Sequence, residues 1–353
     1  MSILPYRPHP LLRNGHLQTL LVGVVYGQRP IHNAQAIQVP TADGELLLIH
    51  EENGPPLALS APTAILIHGL GGDHSSPYLQ RIAHQLRYSG IRVWRVDLRG
   101  SGLGMKLAWR PAHAGASDDL AAVVEAAQQR YPRADIHIVG FSLSGNILLK
   151  MLGEVAAGVG HARVDLTRIN SAIAIAPPVD LHECAKNMER LSRRIYTRYY
   201  LKMLGAQIQQ RQSHWPQWKV IPTHPPLKTI RQFDARYTAP MSGFADTDDY
   251  YTRASAIEWL PSITTPTTLL VDRHDPIVTV KSFDPSKINA ESTQLILTSH
   301  GGHMGYFGRD ASGRNIRWME YFVVQHLKRI VSNAQTAPTR GAEVEAMCEE
   351  SGA

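Results

Sequence analysis

The stretch DIHIVGFSLSGNILLK, residues 135–150, decides how the chain reads. It opens as a short apolar run of strand length and closes in helix-like composition, with Ser142 at the junction. A hydroxyl there can cap the helix, line a tight turn or attack a substrate. Gly140-Phe141-Ser142-Leu143-Ser144 approximates the G-x-S-x-G turn that lifts a nucleophile above a sheet. Such a turn is tight enough to require small residues two before and two after the serine. Ser144 replaces the second glycine, and Gly145 follows it directly. Ser144 itself is the poorer nucleophile candidate, because its flanks are Ser142 and Asn146.

Outward from this junction, TAILIHG, IRVWRVD, SAIAIAP, TTLLVD and TQLILTS are further short apolar runs, as expected of strands buried on both faces. Helical patterns separate several of them. SPYLQRIAHQLRYSG has Ser76 as cap and Pro77 in its first turn, and SDDLAAVVEAAQQRYP has Ser117 as expected N-cap with two acids behind it. NIRWMEYFVVQHLKRIV reads as the last helix, and IQVPTADGELLLIH as a hairpin around Asp43-Gly44. The alternation predicts an α/β fold with a mostly parallel sheet and helices on both faces. We divide the chain into an extension (1–34), a core (35–179 and 261–332), a helical cap insertion (180–260) and a disordered tail (333–353). The cap is expected over the carboxyl edge of the sheet, where open α/β folds bind ligands.

A hydroxyl needs a base, and the base an orienting acid. Asp275 follows strand TTLLVD in Arg273-His274-Asp275-Pro276, and His303 follows TQLILTS in SHGGHMGYF. The order serine, aspartate, histidine on three strand ends is the order this architecture uses. Asp272 is the rival carboxylate and reads as structural. A metal pair of His300 and His303 lacks the carboxylates such a site would use, so no metal is expected. Backbone N–H groups of Leu70, in HGLGG, and Leu143 are the natural oxyanion donors. HGLGG lacks the ending of a P-loop, and RGSGLG (99–104), with no helix-like stretch directly after it, reads as a connection beside the site.

With 353 residues and 43% hydrophobic content the chain can build a large core. Its apolar N-terminal run, LQTLLVGVVYG, is too short to span a bilayer and lacks a signal-peptide pattern, so a cytoplasmic protein is expected. Two cysteines, Cys184 and Cys348, form neither a disulfide framework nor a CxxC metal site. The net charge is +6. The densest basic cluster, ERLSRRIYTRYYLK (189–202), reads first as a solvated helix face; an anionic lipid or an acidic ligand is the alternative. Peripheral membrane contact has no support beyond that cluster. No motif supports nucleic-acid binding, and no oligomeric state is legible.

Taken together, GHLQTL (15–20), HGLGG, GFSLSGN, FDARYTAPMSGFADTDDYYTRAS (233–255), HDPIV and SHGGHMGYF resemble an α/β-hydrolase. More narrowly, they resemble the AB-hydrolase family that includes the bacterial YheT proteins and their membrane-tethered animal relatives. The resemblance covers nearly the whole chain apart from the tail. It implies carboxylic-ester hydrolysis by Ser142, Asp275 and His303 beneath a helical cap, on a small-molecule ester and without metal or organic cofactor. The aromatic, apolar insertion suits hydrophobic acyl groups of short to medium length. An acyltransferase using the same three residues and a non-catalytic binding protein on this scaffold are the alternatives. GHLQTL receives no role from the sequence, and its His16 reads equally as packed or functional.

Overall fold

The computed structural model describes residues 4–24, 33–160, 163–219, 221 and 224–336. The rest of the apolar N-terminal run from Val25, and the tail from Ala337 with Cys348, lie outside the described residues. Helix α1 (Gly15–Val24) comes first, followed by the hairpin β1 (Ala34–Pro40) and β2 (Leu46–Glu52) around a left-handed Gly44. Strands and helices then alternate: β3 (Thr63–Ile67), α2 (Pro77–Arg87), β4 (Arg92–Asp97), α3 (Ser117–Arg130), β5 (Ile136–Phe141), α4 (Leu143–Ala156) and β6 (Ile169–Ile175).

A helical insertion separates β6 from the next strand. It comprises α5 (Leu181–Met188), α6 (Arg194–His214), α7 (Pro216–Lys219), α8 (Ile230–Phe233), α9 (Ala239–Met241) and α10 (Thr247–Ala254). The chain then returns through β7 (Thr267–Asp272) and β8 (Thr293–Thr298) to the small pair β9 (Phe307–Arg309) and β10 (Asn315–Arg317), and ends in α11 (Trp318–Thr336). Among the described residues, no helix is long and apolar enough to cross a membrane.

The main sheet has the order β1-β2-β4-β3-β5-β6-β7-β8, and β2 alone runs against the others. Alternate residues of each central strand enter opposite cores, as the pleat requires. Ile65, Ile67, Ile136, Ile138, Leu269 and Val271 pack toward α3 and α4. Ala64, Leu66, Val139, Phe141 and Leu270 pack toward α2 and α11. This two-faced burial is why those runs are apolar throughout.

The topology assembles the site. β3 lies between β4 and β5, with Ile67 opposite Gly140, so the loop after β3 meets the turn after β5. β7 and β8 pair up to Asp272 and Thr298, and release their following loops at the same edge.

Four local expectations are corrected. Ala116, not Ser117, occupies the cap of α3; Ser117 is its first helical residue and accepts from the Lys150 ammonium at 3.3 Å instead. Asn315–Arg317 pairs with Phe307–Arg309 as a strand before α11 begins at Trp318, because the two segments' backbones find each other across a turn. The last helix continues to Thr336, so residues 333–336 belong to it rather than to a disordered tail. RGSGLG does lead into a helical turn, a 3-10 segment over Gly102–Lys106.

Candidate active site

Ser142 sits between β5 and α4 with φ 52° and ψ −116°, a backbone conformation that only a strongly determined turn maintains at a non-glycine residue. Its own N–H donates to the Ile175 carbonyl at 2.8 Å, which ties the turn to β6. A Cβ on Gly140 would come within 2.4 Å of the Ser144 carbonyl oxygen, so the position two before the serine must be glycine. Ser144, where glycine is usual, has a use for its side chain: the buried hydroxyl donates to the His68 carbonyl and links the start of α4 to the end of β3.

The structure brings Ser142, His303 and Asp275 into one chain of hydrogen bonds. Ser142 Oγ lies 2.9 Å from His303 Nε2, and His303 Nδ1 donates to Asp275 Oδ2 at 2.8 Å. The remaining carboxylate oxygen, Asp275 Oδ1, accepts from the Ile277 and Val278 amides at 2.7 and 2.9 Å, which fixes its orientation. Both Asp275 and His303 are buried. An imidazole held this way has one tautomer available, with Nε2 free to take the serine proton.

The oxyanion candidates sit in the HGLGG loop, at Leu70, and directly after the serine, at Leu143. A Cβ on Gly69 would touch Ser142 Cβ at 3.2 Å, so the HGLGG loop runs directly beside the serine. Gly69 N–H donates to the Tyr78 hydroxyl at 3.1 Å, and Tyr78 packs edge-on against Phe141. Burial pushes the Tyr78 phenol well above its ordinary value, so it stays protonated. Among the described residues, the Leu70 and Leu143 amides have no acceptor within the chain.

The rivals have other work. Asp272 accepts from Thr298 Oγ1 at 2.8 Å and from the amides of Gly301, Gly302 and His274 at 2.7, 3.2 and 2.9 Å. It is a structural carboxylate that shapes the loop carrying His303. His300 stacks on His274 and bonds to the Arg13 carbonyl through Nδ1, so it does not converge with His303 on a metal. His50, His74 and Asp97 form a separate cluster: both imidazoles bond to the Asp97 carboxylate, at 3.1 and 2.8 Å, and the His74 and Leu103 amides donate to it at 2.7 and 3.2 Å. Burial works to raise the Asp97 carboxyl, but these bonds hold it well below the usual carboxylate range. The cluster clips β2 and β4 to the loops that follow β3 and β4.

Sequence reasoning missed the residues that hold the histidine loop from outside. That loop carries left-handed residues at His300, Gly302, Met304 and Tyr306 and needs external support. α1 supplies it. Thr19 Oγ1 accepts from the His303 N–H at 2.8 Å while donating to the Gly15 carbonyl at 2.7 Å. Gln18 accepts from Phe307 N–H at 2.8 Å and donates to the Phe307 carbonyl at 3.0 Å. Gly302 approaches α1 so closely that a Cβ would lie 2.3 Å from the Gly15 oxygen. GHLQTL is thus the brace of the histidine loop, a role with no local sequence signal. His16 is packed: Arg193 donates to its Nε2 at 2.8 Å, and its Nδ1 donates to Tyr196 at 2.9 Å. Burial, then Arg193, lowers the His16 pKa from its ordinary value and keeps the ring neutral.

Ser142 and His303 open onto a cavity of about 490 Å³ whose apolar lining includes Leu20, Ile195, Tyr199, Tyr200, Met203 and Ile277. Four of these six come from α6, which places the insertion over the carboxyl edge. The far part of α6 is anchored by Arg211, which donates to the carbonyls of Arg99, Gly100, Trp109 and Arg110. Burial lowers that guanidinium to about 10.

A strained strand-to-helix serine under a helical cap, on a mostly parallel sheet, defines a class of proteins, and comparison with known proteins agrees. Residues 62–310 match the alpha/beta hydrolase fold family, and the chain belongs to it. It is 28% identical over 300 residues to YheT of Escherichia coli strain K12, covering 84% of this chain and 85% of that one. It is 31% identical over 281 residues to a monoacylglycerol lipase of Saccharomyces cerevisiae, covering 76% of this chain and 59% of the yeast protein. An esterase structure from Pyrobaculum calidifontis superimposes with a TM-score of 0.56 at 16% identity, over 90% of this chain and 91% of that one, which is a likeness of fold.

Proposed function

We propose that this protein is a serine carboxylic-ester hydrolase whose nucleophile is Ser142, with His303 as general base and Asp275 as the residue that orients it. The observation that carries the reading is the unbroken Ser142–His303–Asp275 hydrogen-bond chain at the floor of an apolar cavity. His303 Nε2 takes the hydroxyl proton as Ser142 Oγ attacks the ester carbonyl, and Asp275 stabilises the imidazolium. The Leu70 and Leu143 amides receive the tetrahedral oxyanion, which preorganised donors stabilise without reorganisation. Collapse expels the alcohol, protonated by His303, and leaves an acyl-enzyme that water hydrolyses by the same route.

The apolar lining supports hydrophobic acyl groups of short to medium length as substrates. The yeast monoacylglycerol lipase relative supports an acyl ester as the substrate class. A chain-length series of p-nitrophenyl esters, with Ser142→Ala protein as blank, tests the assignment. Turnover that rises and then falls with acyl length, and vanishes in the blank, is expected. Equal turnover by the variant overturns it. Adding an alcohol acceptor to the same assay separates hydrolysis from acyl transfer by product.

A further inference from the structure

We propose that the rim of the catalytic cavity is a docking surface for an anionic lipid bilayer, built from one face of α6 and the adjoining edge of α1.

Arg194, Arg198 and Lys202 are exposed at i, i+4 and i+8 of α6, and so form one row along the helix. Ile195 and Tyr199, 55% and 57% exposed, form the neighbouring row. These two apolar side chains also line the cavity that holds Ser142, so the exposed row is the lip of the site. Leu191, one turn earlier, is 72% exposed and continues the lip outward.

α1 completes the rim from the other side. Its contact with α6 is fixed by the His16–Tyr196 and His16–Arg193 bonds. Leu20 is 40% exposed and lines the same cavity, and Leu17, one turn before it, is 40% exposed beside it. Aliphatic side chains at this exposure, gathered from two elements around one opening, cost solvation free energy that a water-soluble substrate would not require.

Charge identifies the occupant. Between Glu189 and Lys202 there are five cations, Arg190, Arg193, Arg194, Arg198 and Lys202, against the single acid Glu189. Arg193 is engaged with His16, while Arg190, Arg194, Arg198 and Lys202 are exposed. A basic row beside an apolar row is the pattern that lies in a bilayer interface, with cations at the phosphates and aliphatic groups among the acyl chains. Docked this way, the cavity mouth faces the bilayer and a hydrophobic ester passes from lipid to Ser142 without crossing water.

The test is co-sedimentation of the full chain with phosphatidylcholine vesicles and with vesicles that also contain phosphatidylglycerol. The expected result is binding to the anionic vesicles only, weakening as salt is raised. The triple variant Arg194→Gln/Arg198→Gln/Lys202→Gln should lose about 100-fold in partition coefficient. Its turnover of a soluble short-chain ester should be unchanged, which also certifies its folding. Leu17→Ser/Leu191→Ser should weaken vesicle binding with the charges intact. Equal binding of wild type and triple variant, or equal binding to both vesicle types, overturns the proposal. Wild type left in the supernatant with both vesicles overturns it too, and returns the basic row to a solvated helix face. Sedimentation needs no catalysis, so the result stands apart from the fate of the hydrolase assignment.

Discussion

Thr19→Val is the most revealing perturbation, because it changes the histidine loop without touching a reacting atom. Valine keeps the shape of threonine and removes the oxygen that accepts the His303 N–H at 2.8 Å. His303 is buried, so its N–H has no ready replacement partner in water. Leaving such a donor unpaired costs about 1–3 kcal/mol. The loop can avoid part of that cost by shifting toward solvent, but a shift moves Nε2 from its 2.9 Å contact with Ser142. A misplacement of about 1 Å is enough to lower the rate about 100-fold. The expected outcome is a split between lowered stability and a kcat reduced roughly 10- to 100-fold, with KM changed little. Thr19→Ser, which restores the oxygen, should recover most of both. Urea unfolding and steady-state kinetics on a p-nitrophenyl ester measure the two parts. A valine variant within twofold of wild type in kcat and unaltered in stability would refute the bracing role of α1.

Asp272→Asn should lower unfolding free energy by about 2–4 kcal/mol, since the carboxylate holds the Gly301, Gly302 and His274 amides and the Thr298 hydroxyl together. Activity should fall with it; a fully active and equally stable variant would show that the loop does not depend on this residue. Acid should destabilise the fold between pH 6.5 and about 4, because burial lowers His113, His137 and, together with Arg329, His326 to about 4. Over that window the unfolded chain holds the extra protons, so stability is lost as pH falls. Asp234, raised by burial to about 6, is protonated in the fold before it is in the unfolded chain, and offsets part of the loss. The histidines outweigh Asp234, so the net expectation is a loss of stability, and denaturant midpoints that stay level or rise on acidification would contradict it.

Much of this was written locally in the chain. The strands of the parallel sheet announce themselves because each is buried on both faces, and the Ser142 turn because its tightness demands Gly140. Asp275 and His303 were legible because each follows directly on a strand end, so the topology of the sheet alone gathers them. The brace was not legible. Thr19 meets His303, and Gln18 meets Phe307, across nearly the whole length of the chain, and nothing in LQTL marks which backbone it will serve. The start of α11 is hidden for a related reason: Asn315–Arg317 pairs with β9, a partner that helical periodicity does not register. The basic cluster could be recognised but not interpreted, because its meaning depends on α6 passing over Ser142.

The most direct test of the central claim is labelling with a fluorophosphonate, which reacts with a serine only when a neighbouring base activates it. The expected result is one adduct per chain, located on the Ser142 peptide by mass spectrometry, and none on Ser142→Ala or His303→Ala protein. An active enzyme that stays unlabelled, or carries its adduct on Ser144 or elsewhere, would contradict it.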